Sequence, residues 1–446
     1  MATIIDSGDD LRYEVIKTRP MNTEATNVAI TGQPISVTTD PGTGTKSAAL
    51  DAFGRLRVSN PFTLFDSSHR YKDNNLWSTS TASGGAAVFD ANEGLVDLNV
   101  TTTSGSKVYR ETTKVFSYQP GKSLLVMTTF VLNSAKTNLR QRVGYYGSSN
   151  GMYLELDGVG GNIVSFVERS SVSGALAETK VIQSAWNYDT MDGSGPSGLT
   201  LDITKAQILW MDIEWLGLGT VRMGFVINGK FILCHQFHHA NLITSTYITT
   251  ASLPLRYEIE NTGVTASSST LKQICSTVIS EGGYQLSGLQ QGIGVPITTP
   301  TNLTTAGTYY PVVSLRLKTS PNSLDAIVIL TAISIMGITN NHNYNWRVVA
   351  SGTTTGGTWV SAGTDSSVEY NLTGTSFAGG RILAQGFLSA SNHAVTSVDT
   401  LKEALFKFQL ERNSFTSTPF ELTIIVAGSS TNSDVYAVAD WEEVSR

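Results

Sequence analysis

Residues 207–239, QILWMDIEWLGLGTVRMGFVINGKFILCHQFHH, restrict what this chain can fold into more than any other stretch. Residues 208–216, 220–227 and 230–237 each alternate apolar and polar side chains, the period of two that sends successive residues to opposite faces of a strand. Between the second and third stands Asn228-Gly229, the pair that two-residue type I′ hairpins favour because both turn positions need positive φ. Three adjacent antiparallel strands are predicted. In the first, Leu209, Met211, Ile213 and Trp215 point one way and Trp210, Asp212 and Glu214 the other, so one face is expected in a core and the other wetter. Such a sheet needs a second layer over its apolar face.

The flanking sequence offers that layer. Strand-like segments at 95–100, 107–116, 123–132, 141–146, 151–156, 163–169, 178–183, 253–260 and 272–280 recur between Gly, Asn and Ser clusters, and none has a sustained 3.6 period. With the central three they suffice for two packed antiparallel sheets, a jelly-roll sandwich over residues 61–284. A Gly-rich stretch at 285–295 is expected to be a linker. Residues 296–446 repeat the pattern at 311–318, 325–335, 345–350, 367–372, 381–388, 405–412, 420–427 and 435–440, which predicts a second β-sandwich. The one short helical candidate is 398–405, with Asp399 and Thr400 as capping residues. Residues 1–60 contain too few large apolar side chains to offset the entropy of ordering alone, so they read as an extended arm that docks on a partner. At the arm's end Phe53, Arg55 and Arg57 alternate with Leu56 and Val58 before the turn at Asn60-Pro61. Phe53, Arg55, Arg57, Phe62 and Phe65 are therefore the candidate docking residues.

Composition narrows the function. Of the 446 residues only 15% are charged, and the net charge is −6, so the basic stripe that phosphate binding needs is missing and no nucleic-acid partner is expected. The longest apolar run, 324–338, is interrupted by Thr331, Ser334 and Gly337 and falls short of the ~20 residues of a spanning helix, so no membrane insertion is expected. Nor does the N-terminus read as a secretory signal. The two cysteines, Cys234 and Cys275, make no disulfide or metal framework; Cys234 reads as a buried thiol, and assembly in a cytoplasm is expected.

Three clusters carry the residue types of chemistry. Asp212 and Glu214 stand two apart on one strand face, as an acid/base pair for glycoside hydrolysis would require, with carboxyl groups roughly 5–9.5 Å apart. His235, His238 and His239 adjoin Cys234, but strand alternation puts His235 and His239 ~13 Å apart with His238 opposite, so no metal site is expected. Residues 186–198, WNYDTMDGSGPSG, hold Trp186, Tyr188, Asp189 and Asp192; aromatic faces beside carboxylates are what sugar recognition uses. Together with Trp210 these four form the candidate glycan-binding set. No cofactor is expected.

The two-sheet pattern around residues 210–214 resembles the concanavalin A-like lectin and glucanase class. Laminarinase-type members carry Glu-x-Asp-x-Glu on one strand, the first Glu as nucleophile and the last as acid/base. Here Trp210 occupies the first position, so the resemblance implies the fold without the nucleophile, and the chain is expected not to be an enzyme. Residues 51–66 (DAFGRLRVSNPFTLFD), 118–125 (YQPGKSLL), 137–145 (TNLRQRVGY) and 210–217 (WMDIEWLG) resemble a family of virion structural proteins of tailed phages, chiefly marine and cyanobacterial ones, over residues 28–284. That resemblance implies a place in a virion, as a fibre-like or appendage protein. The expected partners are other virion proteins through the N-terminal arm, copies of the chain in a homotrimer or other symmetric homo-oligomer, and host-surface glycan. Two other readings compete with it: a glycan-binding adhesin, and a polysaccharide depolymerase acting through Asp212 and Glu214.

Overall fold

The computed structural model describes residues 61–158, 163–283, 288–320, 322–390 and 409–445, together with four two-residue strands nearer the N-terminus. The chain divides into two compact units, Met1–Arg57 and Val58–Arg446. In the first, Ile5–Asp6 pairs antiparallel with Leu11–Arg12, and Thr38–Thr39 with Lys46–Ser47. The candidate docking residues Phe53, Arg55 and Arg57 lie outside the described residues.

In the second unit, residues 62–280 build two facing antiparallel sheets. One has eight strands and runs, edge to edge, Lys230–Phe237, Val221–Ile227, Gln207–Ile213, Leu124–Val131, Ser269–Ser280, Leu95–Val100 and Ala86–Asp90, with Phe62–Ser68 also pairing on Ser269–Ser280. Across from it, seven strands run Ala177–Ile182, Ile163–Ser170, Gly151–Asp157, Leu139–Tyr146, Leu255–Asn261, Lys107–Thr112 and Trp77–Ala82. Alternate residues of both sheets interdigitate between the layers: Leu209, Met211 and Ile213 from one, Val143, Tyr145 and Ile259 from the other, all essentially inaccessible to water. This is the jelly-roll sandwich of two antiparallel sheets that the alternating segments predict.

The three central strands lie side by side, and the Asn228-Gly229 turn has both φ angles positive, 52° and 75°, as a type I′ turn requires. Register shifts between Met223 and Gly224, pairing Met223 with His235 but Gly224 with Leu233. Cys234 is thus the extra residue of a β-bulge.

Residues 289–445 form a second pair of sheets. The smaller holds Leu289–Gly294, Thr301–Leu303 and Ile327–Gly337, all paired with Ser433–Ser445. The six-stranded one runs Val360–Ser361, Val368–Asn371, Tyr310–Leu317, Glu421–Gly428, Asn343–Thr355 and Ser376–Ser389. Their core centres on Trp441, Tyr344, Leu317 and Val426. The Gly-rich stretch expected as a linker instead contributes the strand Leu289–Gly294. A Cβ on Gly292 would meet the Asp440 carboxylate at 2.4 Å, so the glycine leaves room for that side chain. The helical candidate over 398–405 lies outside the described residues. Of the strand expected over 405–412, the described part makes only isolated bridges, since it crosses between the two pairs of sheets instead of joining one.

Candidate functional site

The densest concentration of functional groups is the outer face of the seven-stranded sheet, and register alone assembles it. Arg142 lies directly opposite Glu155 on one side and Glu258 on the other, so a carboxylate, a guanidinium and a second carboxylate form one row across three strands. In the next row Gly144 sits between Tyr153 and Arg256, and in the third Tyr146 faces Gly151. The two glycines leave the sheet surface bare, so the tyrosine rings lie over it, 4.4 Å apart, and the arginines lie over the rings. Arg169 is 5.1 Å from the centre of the Tyr153 ring and Arg256 is 3.8 Å from that of Tyr109, distances at which cation–π attraction acts.

Although this face points away from the core, its side chains bury one another. Glu155 and Glu258 are each about 1% exposed and Tyr146 not at all. Each charge is paired. Glu155 accepts from Arg142 Nε and Lys180 Nζ, both at 2.6 Å. Glu258 takes Arg142 at 3.4 Å, Lys107 at 3.2 Å and a close contact from Arg256, while Arg256 also donates to Glu111 at 2.6 Å. Glu178 accepts from Arg169 and from the Tyr153 hydroxyl, both at 2.7 Å. Burial by itself pushes the Glu258 carboxyl up, but Arg256, Lys107 and Arg142 together hold it down at about 2. Glu178 is held at about 2 in the same way: burial raises it, and Tyr153, Arg169 and Arg142 more than reverse that. Glu111 goes the other way, raised by burial against the pull of Arg256. The Tyr146 hydroxyl is buried without a hydrogen-bond partner. The result is a preorganised charged surface with Arg142 at its centre. Its sequence signal is the alternation of Arg140 with Arg142, of Arg256, Glu258 and Glu260, and of Lys107, Tyr109 and Glu111, a signal that points to no site until the strands are known to be neighbours.

The residues selected from sequence are not brought together. Trp186 is buried in the core, its ring stacked on Phe166 at 4.4 Å, and its Nε1 donates to the Val181 carbonyl at 3.2 Å; no face is left for a sugar. Tyr188 is half-buried and its hydroxyl donates to Gln236 at 2.9 Å. Asp189, also buried, accepts from the backbone N–H groups of Met191 and Ser197, both at 2.8 Å. Only Asp192 is exposed, and it caps the turn formed by Thr190 and Ser194. Loop 186–198 is packed by its own side chains.

Trp210 does lie on the opposite sheet face from Leu209 and Met211, but that face is not wet there. Gly224 stands beside it in register and leaves room for the indole, whose Nε1 reaches the Ile232 carbonyl at 3.3 Å, and Phe231 covers it edge-on at 5.5 Å. Asp212 is buried and ion-paired with Arg222, its cross-strand partner, while Glu214 is exposed beyond the end of the strand. The two carboxylates therefore occupy different surroundings and make no acid/base pair. Phe65, expected to dock on a partner, is instead a core residue against Phe116 at 5.0 Å and Trp77; Phe62 is exposed.

The histidines also separate. The bulge at Cys234 turns His235 inward, where its Nδ1 accepts from the Asn187 N–H at 3.3 Å and burial, with the neighbouring His238, lowers it to about 4. His239 bonds the Gly219 carbonyl at 2.6 Å and Glu168 at 2.7 Å and stacks on Tyr247. Among the described residues no three His, Cys, Asp or Glu side chains converge to hold a metal ion.

Fold and site define an all-β chain: a jelly-roll sandwich of two antiparallel sheets with an ion-paired outer face, followed by a second sandwich. No family model and no curated protein matches the sequence. Solved structures similar to it include a β-1,3-1,4-glucanase (lichenase) from a mouse hindgut metagenome, 13% identical over 48% of this chain and 97% of that one with a TM-score of 0.32. The carbohydrate recognition domain of Emp47p is 12% identical over 49% and 96%, with a TM-score of 0.31. The CBM2 module of the evolved Dit of Lactobacillus casei BL23 phage J-1 is 5% identical over 51% and 100%, with a TM-score of 0.33. Glycosyl hydrolases and a transglycosylase stand among the similar chains, which overturns the expectation, drawn from Trp210, that the chain is not an enzyme.

Proposed function

We propose that this chain is a component of a tailed-phage particle, an appendage protein attached through residues 1–60 whose sandwich body meets glycan on the host surface. The observation that supports it best is where the phage-like stretch 51–66 falls. It crosses the division between the two compact units at Arg57 and Val58, and its last five residues, 62–66, begin the strand Phe62–Ser68, which pairs with Ser269–Ser280 in the large sheet. A tether that enters a body through a strand of its main sheet transmits load to the core, as an attached appendage needs. Copies of the chain in a symmetric oligomer complete the reading, since virion appendages repeat. The host-contact half is supported by the outer face of the eight-stranded sheet, where Phe231 presents an aromatic ring above Trp210.

Deletion of residues 1–60 tests the attachment. The truncated chain is expected to be folded, with a single cooperative unfolding transition, yet absent from particles assembled in cells that lack the full-length copy. Truncated protein found in purified particles at the full-length level overturns the proposal.

A further inference from the structure

The eight-stranded sheet has a groove on its outer face that none of the residues selected from sequence enters. Its volume is about 570 Å³, within the range of small-molecule sites. Ile208, Val226 and Ile274, from three different strands, line it with aliphatic surface, and the loop over residues 200–206 and the turn at Asn228 form its walls. That loop is pinned in place: Gln207 Nε2 donates to the Asp202 carbonyl at 2.7 Å, and the Asp202 carboxylate holds the next turn through Thr204. Beside the groove, opposite Val226 in register, stands Phe231, 49% exposed and held edge-on against Trp210.

We infer that this groove binds a short neutral oligosaccharide, an inference that rests on the glycan half of the proposed function. Sugar rings present C–H faces that pack on aliphatic and aromatic surface and hydroxyl edges that pair with amides, hydroxyls and carboxylates. The groove supplies both in the right places: apolar side chains in the sheet with Phe231 as a stacking ring, and Asp202, Asn228 and Thr200 along the rim. Its rim charge cancels, with one carboxylate from Asp202 and one ammonium from Lys205, which favours neutral over acidic sugars. A partner peptide adding to a sheet would use an edge strand, whereas the groove lies across Gln207–Ile213 and Val221–Ile227, strands paired on both sides.

The test is a binding titration of the full chain with neutral trisaccharides of glucose, galactose and mannose, with trigalacturonic acid and an uncharged octapeptide as comparisons, alongside a glycan array. Saturable binding of at least one neutral trisaccharide is expected, weakened at least tenfold by Phe231→Ala and by Ile208→Lys. Both positions are partly exposed, so thermal midpoints near the wild type will show the variants folded. Tyr71→Ala, at an exposed position on a different loop, is expected to bind as the wild type does. Glycan binding that survives both groove substitutions overturns the groove and leaves the glycan reading standing. Absence of binding to every glycan in panel and array overturns both, and preference for the acidic sugar or the peptide overturns the neutral-sugar assignment.

Discussion

Arg142 shows what a single residue carries in this protein. It is buried between Glu155 and Glu258 and lies near the Tyr153 ring, so its removal leaves two buried carboxylates short of a partner. Breaking a buried pair in this way costs about 3 kcal/mol or more, and Arg142→Ala is expected to lower unfolding free energy by that amount in urea titrations at pH 7. The pH dependence has a definite sign. Glu258 is depressed from 4.5 to about 2 in the fold, so its contribution is present above about 4.5 and is lost as pH falls toward 2. The variant has less to lose over that window, and the gap between the two proteins should narrow at pH 3.5. His69, which burial and Arg110 lower to about 4, destabilises both proteins between pH 6.5 and 4 and cancels in the difference. A gap that stays constant with pH would mean the guanidinium acts by packing alone. The charged residues were legible one strand at a time; their convergence was not, because it depends on which strands become neighbours.

At the scale of the element, the hairpin over Val221–Ile227 and Lys230–Phe237 was readable to within a residue, since alternation and Asn228-Gly229 both act locally. The burial of Trp210 was not. It follows from Gly224 on the neighbouring strand, where a Cβ would fall 1.9 Å from the Ile232 carbonyl oxygen and 3.0 Å from the Trp210 Nε1. Gly224→Ala must therefore push two strands apart or displace the indole, and is expected to cost about 1–3 kcal/mol, measured by chemical denaturation. Gly307→Ala offers a contrast, because no atom lies within 4 Å of its Cβ and only its φ of +73° opposes the change, at about 1 kcal/mol. Equal losses at the two positions would show that strand approach at Gly224 has been overestimated. The bulge at Cys234 was equally hidden. An extra residue in one strand is defined only against its partner.

Across the whole second unit, residues 409–418 tie the two pairs of sheets together. Gln409 bridges to Ile329 and Asn413 to Lys114, Arg412 pairs with Asp325 at 3.0 Å, Glu411 with Lys114 at 2.9 Å, and Phe415 packs on Tyr109 at 5.3 Å. Each pair of sheets has its own core, and the joint is held by this strap together with the direct hydrogen bond from Thr250 Oγ1 to Asp325 at 2.6 Å. A chain carrying both Arg412→Ala and Phe415→Ala is expected to show two calorimetric transitions where the wild type shows one; a single transition at lower temperature would place the coupling elsewhere. By itself the sequence determined the all-β class, most strand positions and the hairpin turn, because side-chain alternation and turn chemistry are properties of neighbouring residues. Only the tertiary structure decided which faces are covered. It drew Trp186 and Phe65 into the core, gathered the charges around Arg142, and left Phe231 exposed beside a groove. Burial is set by what packs on a residue from distant strands, and in an antiparallel sandwich those neighbours lie tens of residues away.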